Sequence, residues 1–209
     1  MRALLDGWII VFLFALFGYL HTLLASLKIK TLAEKKFGDK IAFYRLTYNI
    51  SSLFFFYLIY EIAPKPDFYL YDLNPPFDLL ILIPQFISLA GLVWTVMYID
   101  GKEFLGLSQI SRWRKGVYNV NDLDETSEFR INGPYKFSRH PVYLFTILFL
   151  LFRPQMDFFY FIAFLCISAY FYVGSIYEEK KLTKKFGEAY INYQKSVPRI
   201  LPIKLTFNK

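Results

Sequence analysis

The stretch FFYFIAFLCISAYFYVGSIY at residues 158–177 contains 20 consecutive residues without a charge and is followed by Glu178 and Glu179. A helix of this length is about 30 Å long, which matches the thickness of the hydrocarbon core of a bilayer. Residues 7–27 and residues 79–99 form two further uncharged stretches of 21 residues each. These three stretches predict three membrane-crossing helices.

Two shorter uncharged stretches predict two more crossings. Residues 46–60 can be extended by the apolar residues 41–43, because the long side chain of Arg45 can reach the membrane surface. Residues 140–152 run into the sequence Arg-Pro-Gln-Met-Asp at 153–157, which is typical of a turn. The sequence therefore predicts an all-α integral membrane protein with about five transmembrane helices, of which the last two form a hairpin.

The composition also indicates a membrane protein. Hydrophobic residues make up 56% of the chain and the mean hydropathy is +0.33, which leaves too little polar surface to cover a soluble domain. A net charge of +7 is typical of nucleic-acid binding in a soluble protein. Here the basic residues lie between apolar stretches, where membrane topology explains them, so we expect no nucleic-acid partner.

The cysteine and histidine content gives no metal-binding pattern. The chain has one cysteine, Cys166, and two histidines, His21 and His140, with no zinc-ligand spacing among them. We therefore expect no metal site. Cys166 has apolar neighbours, which favours a packing role. For His21, a hydrogen bond between helices is a simpler interpretation than a catalytic role.

The distribution of basic residues predicts the orientation in the membrane. Residues 28–40 carry five lysines, residues 98–140 carry seven Lys or Arg, and residues 178–209 carry eight. Residues 62–77 carry one, and the predicted hairpin tip carries only Arg153. Because positive loops stay in the cytosol, the N-terminus is expected outside and the C-terminus inside, in a bacterial inner membrane.

The predicted organisation is one integral membrane domain over residues 1–209. No repeat, flexible linker or low-complexity segment divides the chain, and the first apolar stretch is longer than the core of a signal peptide. Residues 1–110 contain the first three predicted helices. Residues 130–209 contain the hairpin, a cytosolic helical segment and a Pro-containing strap that folds back over the cytosolic face.

Charged residues mark both cytosolic ends of the predicted hairpin. Arg139 and His140 precede Pro141 at the start of one helix, and Glu178 and Glu179 follow the end of the other. A hairpin brings these positions together, so that a helix N-terminus and two carboxylates line one pocket beside lipid. Such a pocket suits a ligand with both anionic and cationic groups.

Simpler interpretations remain open for each part of this pocket. Arg139 and His140 can anchor at lipid headgroups, and the two glutamates can pair with lysines one helical turn away. Tyr190 and Tyr193 lie one turn apart, where they can form part of an interfacial aromatic belt or pack on a ligand ring. Carboxylates at the edge of the lipid nevertheless favour a functional site.

The ordered series of motifs in the last third of the chain resembles a known family. GPYKFSRHPVY at 133–143, EEKKL at 178–182 and VPRILP at 197–202 together resemble the C-terminal core of the isoprenylcysteine carboxyl methyltransferase superfamily. In the first half of the chain, three further segments resemble the bacterial branch of small membrane methyltransferases that includes methanethiol S-methyltransferase. These segments are HTLLAS at 21–26, YRLTYN at 44–49 and FLGLSQ at 104–109.

The resemblance implies an S-adenosylmethionine-dependent methyltransferase whose acceptor enters from the bilayer. It implies a cofactor site formed by His140, Pro141, Tyr143, Glu178, Glu179, Leu182, Tyr190 and Tyr193. We assign Arg139 or Arg199 to orienting a polar acceptor, as candidate catalytic residues. The acceptor is left open between a lipophilic or small thiol and a carboxylate, and no obligate protein partner is indicated.

Two other functions remain possible on the sequence. Membrane sterol and steroid reductases share a similar arrangement of Arg-His-Pro and Glu-Glu but use NADPH, and a non-catalytic membrane protein can retain the same fold. The chain has no glycine-rich dinucleotide fingerprint after a predicted strand, which excludes the soluble Rossmann-type methyltransferases. Competition between S-adenosylhomocysteine and NADPH distinguishes the two enzymatic interpretations.

Overall fold

The computed structural model describes residues 2–119 and 129–202. The described chain is mostly helical, as predicted, but it also contains one antiparallel pair of strands. The α-helices are α1 (Arg2–Ala25), α2 (Leu27–Phe37), α3 (Tyr44–Ile62), α4 (Phe77–Leu80), α5 (Leu82–Val96), α6 (Gly101–Leu105), α7 (Leu107–Arg114), α8 (Pro141–Leu151), α9 (Phe158–Phe186) and α10 (Glu188–Ser196). The strands are β1 (Tyr69–Asp72) and β2 (Gln155–Asp157), and 3-10 helices span Gly38–Phe43 and Gly133–Lys136.

Three helical segments in the described residues are long and apolar enough to cross a membrane. They are α1, the continuous pair α4 and α5 over Phe77–Val96, and α9, which correspond to the three long uncharged stretches. Helix α3 has 19 residues, and α8 is apolar but has only 11 residues, which reach about 16 Å. Five crossings and the terminal hairpin stay predictions.

The described residues form two compact units. The first contains residues up to Pro66 together with the segment from Ile99 to residue 119, and the second contains residues 67–98 and 129–202. The candidate site described below lies wholly in the second unit. A single domain over residues 1–209 stays a prediction.

Polar side chains join α1 to α3 in the first unit. Ser52 donates its hydroxyl hydrogen to the carbonyl of Tyr48 at 2.7 Å, so the contact of 3.0 Å between Ser52 Oγ and His21 Nδ1 requires His21 to donate. His21 Nε2 is then the acceptor for the Tyr48 hydroxyl at 2.6 Å. The structure thus places His21 in a hydrogen-bonded contact between two helices.

A glycine turn connects α6 to α7 in the first unit and contacts α3. Gly106 has φ +91°, and a Cβ there would lie 2.7 Å from the backbone nitrogen of Leu46. The carbonyl of Phe104 accepts hydrogen bonds from Arg45 Nε at 2.7 Å and from Asn49 Nδ2 at 3.0 Å. The turn therefore approaches α3 so closely that a side chain at Gly106 does not fit.

In the second unit, α5 packs along α8, and α8 also contacts α9. A Cβ on Gly91 would overlap the ring of Phe145, so the absence of a side chain permits this close packing. The residues at 155–157, predicted as part of a turn, instead form β2 and pair with β1, with Met156 buried. Asp157 then begins α9 by accepting a hydrogen bond from the backbone nitrogen of Tyr160.

Candidate functional site

A buried carboxylate lies at the centre of the site. The side chain of Glu179, near the end of α9, is 3% exposed. Arg139, two residues before α8, donates to it in a bidentate pair, with Nε 2.9 Å from Oε1 and Nη2 3.1 Å from Oε2. Arg139 and Glu179, which are 40 residues apart in the sequence, are therefore joined by a bidentate, charge-assisted pair of hydrogen bonds, which is a strong kind of side-chain contact.

Three further side chains contact the Glu179 carboxylate. His140 Nε2 lies 3.2 Å from Oε1, while Gln194 Nε2 and Arg199 Nη2 donate to Oε2 at 3.0 and 3.2 Å. Glu179 thus accepts from donors before α8, in α10 and in the segment that follows α10. A buried carboxylate with so many donors is held in one position and has little capacity left for a ligand.

Pro198 and Arg199, in the predicted strap of residues 196–202, are attached by backbone hydrogen bonds to the two residues just before α8. The backbone nitrogens of Arg139 and His140 donate to the carbonyls of Pro198 and Arg199 at 3.0 and 3.1 Å. Arg139 Nη1 also donates to the carbonyls of Gln194 and Val197. The N–H groups of Arg139 and His140, which precede the helix N-terminus proposed for an anionic ligand, are therefore used by the protein itself.

Three parallel rings form one wall of the site. The rings of His140 and Tyr143 stack with centroids 5.1 Å apart, and those of Tyr143 and Phe171 with centroids 4.4 Å apart. The Tyr143 hydroxyl donates to Glu178 Oε2 at 3.2 Å, and His140 Nδ1 lies 3.4 Å from the same oxygen. The Glu178 side chain is 49% exposed, so its carboxylate is accessible beside the ring stack.

The imidazole of His140 lies between two carboxylates. Burial lowers its pKa, but hydrogen bonds and charge attraction from Glu178 and Glu179 outweigh burial, and the pKa is raised above its usual value. Both ring nitrogens face carboxylate oxygens, which suits the doubly protonated form. His140 therefore bridges the exposed and the buried glutamate, and these two carboxylates favour its protonated form.

We expect stability to fall as the pH rises through the raised pKa of His140. The folded-state pKa lies above the unfolded value of about 6.5, so the stabilisation is complete below that value and is lost at higher pH. Thermal unfolding in detergent between pH 5.5 and pH 9 measures the slope. In the His140→Gln variant, we expect the melting temperature to depend less on pH over this range. An equal pH dependence in wild type and variant contradicts the raised pKa assigned to His140.

The tyrosines of α10 lie in a hydrophobic cluster and not at an open surface. Tyr190 is 2% exposed and Tyr193 is 8% exposed, and they pack with Val197. Burial raises the pKa of both phenols well above the ordinary value, so both stay protonated, and Tyr193 donates to the carbonyl of Tyr135 at 2.6 Å. Leu182 packs against this cluster. These three predicted site residues therefore lie together in a packed hydrophobic cluster.

The remaining predicted site residues differ in their exposure. Pro141 is fully buried at the first position of α8, where its missing N–H leaves no unsatisfied donor. Arg199 is 32% exposed and its guanidinium carbon lies 5.8 Å from the centroid of the Tyr172 ring. Within the part of the chain that the structure describes, its buried Nε has no hydrogen-bond partner.

Sequence reasoning missed Gln194, Phe171 and Ser138. Gln194 follows Tyr190 by one helical turn, and Phe171 precedes Glu178 by two turns on the same side of α9, so helical spacing was the available signal. Ser138 is fully buried, and its hydroxyl donates to the carbonyl of Arg199 at 3.2 Å. Its position directly before Arg139 gave no comparable signal.

Comparison with known proteins gives three similar sequences. Methanethiol S-methyltransferase 1 of Bradyrhizobium diazoefficiens is 30% identical over 196 residues, which cover 91% of this chain and 65% of that protein. Methanethiol S-methyltransferases of a Pseudomonas species and of Pseudomonas deceptionensis are 26% identical over 160 and 193 residues. These alignments cover 76% and 92% of this chain, and 59% and 71% of those proteins. No protein-family model and no solved structure matches the chain.

The chain is thus a mostly helical protein whose long apolar helices indicate an integral membrane protein. The resemblance of its motifs to the isoprenylcysteine carboxyl methyltransferase superfamily is confirmed by these relatives. Within the superfamily, they support the branch of membrane methyltransferases that includes methanethiol S-methyltransferase.

Proposed function

We propose that this protein is a membrane methyltransferase that uses S-adenosylmethionine to methylate a small thiol. The single observation that carries the proposal is the charged cluster around Glu179, which joins the Arg-His-Pro, Glu-Glu and Pro-Arg motifs in one place. The names of the three similar proteins support the reaction class and the thiol acceptor. This chain spans 65% of the length of the Bradyrhizobium diazoefficiens protein, and for that reason the activity of the relatives is only proposed for this chain.

The residues of the site fit the charges of the methyl donor. S-Adenosylmethionine carries a carboxylate, an ammonium and a sulfonium, and when bound it supplies an electrophilic methyl group. Glu178 offers an exposed carboxylate for the cationic groups, and Arg199 retains a buried Nε–H that suits a carboxylate. Tyr143 and His140 add an aromatic wall beside Glu178.

The geometry divides the predicted site residues into two groups. Glu178, Tyr143 and Arg199 retain exposed surface or an unused donor, and we assign them to ligand contact. Arg139 and Glu179 are saturated by each other and by the strap, and we assign them to positioning. His140 and Pro141 complete the wall and the start of α8, while Leu182, Tyr190 and Tyr193 support the site by packing.

The protein's contribution to catalysis is alignment and the exclusion of water. A thiolate is already a strong nucleophile, so the reaction needs no nucleophilic residue from the chain. Correct orientation of two reactants lowers a barrier by up to about 7–11 kcal/mol. The saturated hydrogen bonds of Glu179 keep Glu178 and Arg199 in fixed positions, which is what such alignment requires.

For the membrane, we propose five crossings by α1, α3, the pair α4 and α5, α8 and α9. The excess of basic residues in the segments 28–40, 98–140 and 178–209 supports an outer N-terminus and a cytosolic C-terminus in a bacterial inner membrane. The candidate site then faces the cytosol, where S-adenosylmethionine is made. Accessibility of single cysteines introduced at Lys65 and Lys181 tests this orientation in intact cells.

Binding of S-adenosylhomocysteine to the purified protein tests the proposed site. Because a hydrogen bond to a charged group contributes about 1.5–3 kcal/mol, we expect Glu178→Gln to weaken binding at least about tenfold. Glu188→Gln, which changes an exposed glutamate of α10, is the matched control and is expected to leave binding unchanged. Calorimetry measures both dissociation constants.

Transfer of a labelled methyl group to methanethiol tests the reaction itself. Wild-type protein is expected to give labelled dimethyl sulfide and to bind S-adenosylhomocysteine in preference to NADPH. Preferential binding of NADPH favours the reductase interpretation, and binding of neither favours a non-catalytic protein. Equal binding by wild type and Glu178→Gln contradicts the role assigned to Glu178.

A further inference from the structure

An open space lies beside Gly174 on α9. A Cβ built on this glycine would have no atom within 4 Å, apart from its chain neighbours and the backbone of its own helix, among the described residues. Gly174 is partly exposed, and larger side chains, those of Phe171 and Glu178 among them, lie about one turn away from it on α9. Because Gly174 has no side chain between these larger neighbours, it leaves a hollow in the surface of α9 that no other described residue fills within 4 Å of a built Cβ.

Neither packing nor backbone conformation explains a glycine here. Gly174 does not have a positive φ, in contrast to Gly106 and Gly187. No described residue packs closely against the position of its missing side chain either. Gly91 differs, because its missing side chain makes room for Phe145. Glycine destabilises the interior of a helix relative to alanine, so helix stability alone favours alanine at this position.

The hollow borders the groups that we assign to ligand contact. Gly174 lies three residues after Phe171 and four before Glu178, which places all three on one face of α9. Tyr143 stacks on Phe171 at one end of this face and donates to Glu178 at the other. The space beside Gly174 is therefore bounded by an aromatic wall on one side and a carboxylate at its end.

We propose that Gly174 sets the size of the acceptor by leaving room for the reacting end of a slender thiol. This inference rests on the proposed function and extends it to a residue that determines specificity. The aromatic wall suits sulfur, which makes favourable contacts with ring edges.

Substitution of Gly174 by alanine and by valine tests this role. A hydrophobic pocket distinguishes ligands that differ by one methylene by about 10–200-fold. We expect Gly174→Ala to lower kcat/KM for 1-propanethiol relative to methanethiol by about tenfold or more, and Gly174→Val to abolish turnover of both. The dissociation constant of S-adenosylhomocysteine is expected to stay within about twofold of wild type in Gly174→Ala.

Two further measurements separate specificity from folding. Because nothing contacts the new Cβ, the melting temperature of Gly174→Ala is expected to equal or exceed that of wild type. Acceptor binding without turnover is measured as the rise in melting temperature that 1-propanethiol causes in the presence of S-adenosylhomocysteine. We expect this rise to be absent in Gly174→Ala. Gly101→Ala, another glycine with open space around it, is the control and is expected to keep both properties.

The outcomes distinguish this inference from the proposed function. An active wild type with the same thiol selectivity in Gly174→Ala overturns the inference alone. Weakened binding of S-adenosylhomocysteine in Gly174→Ala also overturns it, because the space then belongs to the methyl donor. A wild type that methylates no thiol overturns the proposed function, and the inference with it.

Discussion

Substitution of Glu179 by glutamine is expected to lower the free energy of unfolding by about 3–5 kcal/mol, the cost of breaking a buried ion pair by removing one partner. The amide cannot accept two parallel hydrogen bonds from Arg139, whose side chain is only 9% exposed. Arg199 and His140 lose an anionic partner at the same time. Unfolding in detergent, followed by circular dichroism against denaturant concentration, measures the change.

The neighbouring glutamate provides the control for this prediction. Glu178 is 49% exposed, so Glu178→Gln is expected to change the unfolding free energy by less than about 1 kcal/mol. The two variants therefore separate positioning from ligand contact: one loses stability, the other loses affinity for S-adenosylhomocysteine. A stable Glu179→Gln protein with weakened ligand binding would reverse the two assignments.

Substitution of Gly106 by alanine is expected to destabilise the first unit by about 2–4 kcal/mol, as the sum of backbone strain and overpacking. The residue has φ +91°, which disfavours any residue with a Cβ. The Cβ would also lie 2.7 Å from the backbone nitrogen of Leu46, which cannot move away as a flexible side chain can. Hydrogen exchange of the amides in α3, α6 and α7 measures the local effect.

Gly116 supplies the matched control for the turn at Gly106. It has φ +70°, but a Cβ there would have no atom within 4 Å among the described residues. Gly116→Ala therefore carries the strain without the steric overlap, and we expect it to cost about 1–2 kcal/mol. Equal destabilisation by the two substitutions would show that the contact with α3 contributes nothing.

The long apolar elements could be predicted from the sequence because length and charge alone determine them. The uncharged stretches at 7–27, 79–99 and 158–177 correspond to the three helical segments that are long enough to cross a bilayer. Helix α8 was harder, because it ends at Leu151, before Arg153 and Pro154, and residues 155–157 pair with another strand. That partner, at 69–72, is more than 80 residues away, and local pattern does not reveal such pairing.

The sequence pointed to several side chains that the structure brings together, although not to Gln194 or Phe171, and it did not indicate how the contacts of these side chains differ. Two glutamates at the end of an apolar stretch look equivalent in sequence, yet one is buried and saturated while the other is half-exposed. The difference arises because Glu179 faces the strap and Arg139, and Glu178 faces Tyr143. The burial of Tyr190 and Tyr193 likewise depends on packing with Val197 and Phe129, which helical spacing alone does not show.

The hydrogen bonds of Glu179 also determine when the site can assemble during synthesis. The ribosome produces Arg139 and α9 before it produces Gln194, Arg199 and the strap carbonyls that complete the cluster. Until these last partners emerge, the carboxylate lacks several of its donors and must stay hydrated, and the nascent chain remains open to proteases. Sequence changes in the strap should consequently reduce the amount of protein in the cell before they alter its rate of reaction.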